Sequence, residues 1–297
     1  MRREGLRSLM PGLLLFLSCC PAMGRTQADA ATKARELHER AVRVFGPLTP
    51  AETALLSAIP AGQPARIGST VPPWLPRNPR SLPSSELRRT IRAEMIRWLF
   101  LNRYARNFLT DRGIEIEGAR IWGPVYLSYL HLAVPLHLRR CFLQYPADLL
   151  HLTIPALSFS GCEGSAIYGE GLNVAGDVDL RALRVSEEVR LGGLRVGGDF
   201  DASRAQFTYR RPCALFLEDG RIGGSFSLFD SSFPQTGAIL RRLRVRGNAD
   251  LREVRRGPRS EFDLREMTVG GRFLGSRSLR ADRGIPVPTH EAAGLQR

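Results

Sequence analysis

The chain has 297 residues, 43% of them apolar, which is enough to bury a sizeable core and excludes a disordered tail or a low-complexity segment. Its formal charge of +14 rests on arginine, because Lys33 is the single lysine among 43 basic residues. Such a charge eases contact with anionic surfaces and says nothing about fold; its plainest account is a solvated arginine surface.

Residues 1–24 read as an export signal. MRREGLR is a basic start, LMPGLLLFLSCC an apolar stretch, and Ala22 and Gly24 stand at the cleavage offsets. Pro11 and Gly12 interrupt the apolar run, which falls short of the roughly 20 residues a bilayer span requires, so an uncleaved anchor is the lesser alternative. Lipid attachment at Cys19 is disfavoured by Phe16 in FLSC, where an aliphatic residue is usual. The expected location is the periplasm, the cell envelope or the exterior. Cleavage would leave Cys141, Cys162 and Cys213, too few for a disulfide framework and without the paired spacing of a zinc site.

Residues 25–59 form a short helical segment. Leu37, Ala41, Val44 and Phe45 share one face of a helix over Ala31–Phe45, and Gly46 stops it. Thr49, Pro50 and Glu52 then open a second helix with a capping box. Residues 60–83 carry seven prolines, too many missing amide donors for a helix or an interior strand, and read as a linker or wrapping arm. Residues 84–112 read as an amphipathic capping helix, from Ser84 or Ser85 to about Leu109, with Leu87, Ile91, Met95, Trp98 and Leu99 on one side. Packing is its first reading. A membrane-surface role is the alternative, since Trp98 and Phe100 sit beside Arg88, Arg89, Arg92 and Arg97.

From Gly113 the apolar period becomes alternate. In LRVGGDFDA, residues 194–202, Leu194, Val196, Phe200 and Ala202 point one way and Arg195, Asp199 and Asp201 the other, while Gly197 and Gly198 permit a sharp corner. Related phrases begin at Ala119, Leu172, Gly220, Leu243 and Met267. Val174, Val185 and Val196 are 11 apart, and Ile222, Val245 and Val269 follow at 26, 23 and 24. Short strands at a coil-length period mean a stacked solenoid. Residues 113–275 are therefore expected to form a right-handed parallel β-helix of about 22 residues per coil, with insertions at 208–212 and 255–260. Residues 276–297 read as a disordered tail.

ADLRE from Ala249, FDLRE from Phe262 and VDLRA from Val178 resemble relaxed pentapeptide repeats, which implies a right-handed quadrilateral β-helix. IRAEMIRWLFL followed by IEIEGARIWGPVYLSYLHL is similar to a set of bacterial proteins, some labelled membrane-associated oxidoreductase. The resemblance covers about Glu86 to Gly275 and implies the fold, with no active site to carry over.

No Rossmann, Walker or haem-attachment motif supports redox chemistry, and YGEGLNVAG from Tyr168 lacks GxGxxG spacing with a following helix, so no cofactor is expected. SGCEGS from Ser160 offers no nucleophile elbow. Metal binding is not expected, because His131, His137 and His151 match no ligand spacing. Asp177 and Asp179 precede Asp199 and Asp201 by one coil, so the pairs should stack about 5 Å apart, as calcium ligands, a proton-sharing pair or a salt-bridged face. Arg184, Arg195, Arg221 and Arg244 fill one repeated position and are expected to neutralise those aspartates. Cys141 and Cys162, 21 residues apart, should stack on adjacent coils and form a candidate disulfide. The leading function is an exported noncatalytic scaffold or interaction protein of the cell envelope, with a protein or an anionic envelope polymer as partner and no nucleic acid. A carbohydrate-active hydrolase or lyase is second, and a membrane-associated redox protein third.

Overall fold

The computed structural model describes residues 21–68, 84–210 and 213–275. The export signal apart from residues 21–24, most of the proline arm and the expected tail lie outside the described residues. Among the described residues no helix is long and apolar enough to cross a membrane.

The fold is a parallel β-solenoid of about seven turns, preceded by helices. Four parallel sheets of nine, eight, seven and six strands, here A to D in the order the chain visits them, run its length. One turn shows the scheme: Val178–Asp179 lies in sheet A, Arg184–Val185 in B, Val189–Arg190 in C and Arg195–Val196 in D, before Phe200–Asp201 returns to A. Each strand is two to four residues long, so one inward side chain per side fills a narrow core. Val174, Val196, Ile222 and Val245 stack inward in sheet D, and Phe200 lies on Phe226 in sheet A with ring centroids 5.5 Å apart. A single turn has no such core; its inward residues are covered only by the turns on either side.

Two kinds of corner alternate. Between A and B, and between C and D, a tight β-turn closes with a third residue at positive φ, as in Leu180–Leu183, where Ala182 has φ 54°. Glu253, three turns further on at the same corner, and Glu266 hold the same conformation without being glycine. The Gly-Gly corners between D and A are different. Neither Gly197 nor Gly198 has positive φ. Glycine is required there because the coils nearly touch: a Cβ on Gly197 would lie 2.1 Å from the carbonyl oxygen of Ala175. The reason for these glycines is close approach of coils, with the Gly198 amide donating to Gly176 at 2.9 Å.

The N-terminal region closes one end of the stack. Helix α1 spans Pro21–Phe45 and α2 spans Pro50–Ala58. Ala65–Arg66, inside the expected linker, pairs with Ile116–Glu117 and extends sheet A. The single helix expected from Ser84 to about Leu109 is instead broken into α3 (Ser84–Leu87), a strand at Thr90–Arg92, α4 (Ala93–Leu101) and a 3-10 turn at Ala105–Phe108. Thr90–Arg92 pairs in parallel with Arg120–Trp122, and those ladder bonds outweigh the local helical period. Met95, Ile96 and Leu99 cover the core, Phe100 is buried, and Trp98 meets Phe45 edge-to-face at 5.7 Å, so this apolar face is spent on packing. The capping box forms as expected, and its Glu52, fully buried, also receives Arg92 Nε at 2.7 Å. The second expected insertion begins as a strand, Arg255–Arg256, on sheet B.

Candidate functional site

The aspartates do stack, but each is engaged by the fold. Asp177 Oδ1 accepts from the Asp199 amide at 2.8 Å, and Asp199 Oδ1 accepts from the Ser225 amide at 2.6 Å. The column continues through Ser225 Oγ, which accepts from the Asn248 amide, and Asn248 Oδ1, which accepts from the Arg272 amide. These side chains tie one coil to the next at the corner where backbone donors would otherwise face water. Ser225 and Asn248 were not singled out from the sequence; their spacing from Asp199 was the signal.

Asp179 and Asp201 occupy a second column, on the outer face of sheet A. Asp179 accepts from the Arg181 amide, and from its Nε at 2.9 Å and Nη2 at 2.8 Å. Burial alone would raise the Asp179 carboxyl, but Arg181 and the Ser158 hydroxyl hold it below its ordinary range. Asp201 accepts from the amide and hydroxyl of Ser203. The pairs Asp250–Arg252 and Asp263–Arg265 repeat the Asp179 arrangement, so the DLR phrases are turn-forming units. A groove of ≈ 280 Å3 runs past His137, Asp177, Asp179 and Asp201. Burial lowers the His137 pKa, against the attraction of Glu115. Among the described residues, no group of three or more His, Cys, Asp or Glu is placed to hold a metal ion. His151 stacks on Tyr129 at 5.3 Å, and His131 bridges to Thr153.

The arginines part company. Arg195, Arg221 and Arg244 are paired in register on sheet D with Asn173 at the head of the column. Arg184 lies on sheet B, beside Glu163 and Gln206, because the 11-residue step is half a turn and lands on the opposite sheet. Nor do the sheet D arginines neutralise the aspartates. All three are exposed, and among the described residues their guanidinium groups make no hydrogen bond or ion pair; Arg244 feels Asp219 at longer range. Beside them Ala175, Gly197 and Gly223 form a floor almost without side chains, in an open trough of ≈ 450 Å3 that Arg246 also lines. The sequence identified these arginines, but the repeat length alone did not show which shared a face.

Cys141 and Cys162 stack on adjacent turns, the Cys141 amide lying 3.4 Å from Cys162 Sγ. Both are buried free thiols, and Cys213 is free as well. Burial pushes the Cys162 thiol well up, and Cys213 up to about 11, so both stay protonated at neutral pH. Arg120, unremarked in the sequence, is fully buried, with its guanidinium bonded to Gln144 and 5.1 Å from the Phe142 ring centroid.

These features define a parallel β-solenoid with one face of hydrogen-bonded carboxylates and one whose arginines meet no acidic partner among the described residues. No family model, curated protein or solved structure matches the chain.

Proposed function

We propose that this protein is an exported, noncatalytic right-handed β-helix of the pentapeptide-repeat kind, acting as a binding scaffold at the cell envelope. The observation that carries this reading is the contrast between its two charged columns. Asp177, Asp179, Asp199 and Asp201 already accept hydrogen bonds within the fold, from backbone amides, Arg181 and Ser203. Among the described residues, the guanidinium groups of Arg195, Arg221 and Arg244 make no hydrogen bond or ion pair. Like charges one strand spacing apart repel, and an anionic partner relieves that repulsion while gaining bidentate contacts. The basic, then apolar opening of the chain supports export, and right-handedness is the usual sense of crossover between parallel strands.

Binding of the whole protein to immobilised polyanions, measured at two salt concentrations, tests the reading. Wild type should bind with a steep salt dependence, and the triple variant Arg195→Gln, Arg221→Gln, Arg244→Gln should bind at least tenfold more weakly. Equal retention of both proteins would refute it.

A further inference from the structure

We propose that the sheet D trough is a binding site for a linear acidic glycan with one carboxylate on each sugar, held in register with the coils. The proposal rests on the scaffold reading above and names its ligand.

The geometry begins with the register. Arg195, Arg221 and Arg244 are direct neighbours across three successive strands, so their guanidinium groups emanate from points about 4.8 Å apart along the solenoid axis. That is close to the advance of one pyranose in an extended glycan chain. Adjacent rings of an extended polyuronate face opposite ways, so its carboxylates return to one side at every second sugar. A chain laid along the axis offers them to Arg195 and Arg244, two strands apart, while Arg221 between them donates to the hydroxyl and ring oxygens of the intervening sugar. The planar guanidinium fork matches a carboxylate with two parallel hydrogen bonds.

The floor fits the same ligand. Ala175, Gly197 and Gly223 stand two residues after Asn173, Arg195 and Arg221 and lie in line on the trough floor. Two glycines and one alanine let a flat ring approach the backbone closely. Asn173, exposed at the head of the column, supplies a neutral amide that donates to and accepts from sugar hydroxyls.

The alternatives fit less well. A single-stranded nucleic acid would need aromatic platforms for its bases, and the exposed positions of this face are Asn173, Ala175, Gly197, Gly223 and the arginines, none of them aromatic. A lipid surface is two-dimensional and rewards apolar side chains at its rim, whereas this site is a single line of charge.

The test uses the whole protein and galacturonate oligomers of increasing length, with affinity read by calorimetry at fixed low salt. Affinity should climb with each added sugar until the three arginines are engaged and then level off. Arg221→Gln, at the centre of the column, should weaken binding about tenfold, the loss expected for one charged hydrogen-bonded contact. Arg184→Gln removes the same charge from the opposite sheet and should leave affinity unchanged. Methyl-esterified oligomers should not bind. Equal losses in the two single variants, or an affinity that rises with length without levelling, would mean attraction by bulk charge and overturn the register. Tighter binding of inorganic polyphosphate than of galacturonate at equal charge would overturn the glycan while leaving the scaffold reading intact. If neither polyanion binds, both proposals fail. Unchanged circular dichroism spectra and melting temperatures confirm that the exposed substitutions leave the fold in place.

Discussion

Gly197 and Gly198 are adjacent in sequence, yet alanine should fail at the two positions for different reasons. At Gly197 the new Cβ would lie 2.1 Å from the carbonyl oxygen of Ala175, an atom of the preceding coil's backbone. That coil is fixed by the bond from the Gly197 amide to Val174 at 2.8 Å, so relief requires separating two turns by more than an ångström. Overpacking of this kind costs about 3 kcal/mol. At Gly198 the first atom met is Asp177 Oδ1 at 2.0 Å, the end of a side chain that can rotate away. Rotation forfeits its bond to the Asp199 amide, a loss of about 1 kcal/mol. Urea unfolding of Gly197→Ala and Gly198→Ala, each with and without Asp177→Ala, measures the difference. The Gly198→Ala penalty should shrink in the Asp177→Ala background, and the Gly197→Ala penalty should not. Equal penalties that ignore Asp177 would refute the close-approach account of the corner.

Ala182→Gly should stabilise the protein by about 0.5–1 kcal/mol, because Ala182 holds φ 54° and glycine adopts that conformation without the Cβ penalty; a lower melting temperature would count against the turn assignment. The double change Asp177→Asn and Asp199→Asn should alter stability by less than about 0.5 kcal/mol, since Asn248 already caps the next coil in the same column; calcium-dependent stabilisation of wild type that the double variant loses would instead mean a metal site. Acid should weaken the fold in two steps. His137 sits below its ordinary 6.5, so as pH falls below that value the unfolded chain takes up a proton that the folded one refuses, and stability drops. Asp179 is depressed, so its contribution is present above 3.8 and is lost as pH falls further. His137→Gln should remove the first step and spare the second in melting curves taken from pH 7 to pH 3.

The coil was legible because inward residues must be apolar wherever strands stack, and Val174, Val196, Ile222 and Val245 keep that rule at full-turn spacing. The half turn was not. A four-sided coil has two pairs of similar sides, so Val185, 11 residues from Val174, obeys the same rule on the opposite sheet. Arg184 was grouped with Arg195 for this reason. The helix expected over residues 84–109 failed on a different ground: Ile91 fits a helical face and a parallel strand alike, and only the distant pairing of Thr90 with Arg120 decides between them. The stacking of Cys141 on Cys162 followed from spacing, whereas their redox state depends on access to an oxidant, which spacing does not describe.

The same physics explains why one charged column is neutralised and the other is not. Asp177 and Asp199 flank a corner, where amides lie within reach of a short side chain. Arg195 and Arg221 begin strands beside carbonyl groups of the preceding coil that are already committed, Leu172 to the Arg195 amide and Leu194 to the Arg221 amide. A guanidinium only donates, so it needs acceptors that this ladder has used up. Their neighbours Gly197 and Gly223 bring no carboxylate, and Asp199, around the corner, is held by the Ser225 amide. At Gly197 and Gly223, the floor positions beside Arg195 and Arg221, a Cβ would meet the backbone of the preceding coil, so no acidic side chain can stand there to neutralise them. Tight corners thus leave, among the described residues, a line of positive charge beside a floor of small residues, which is the feature the proposed acidic ligand would engage.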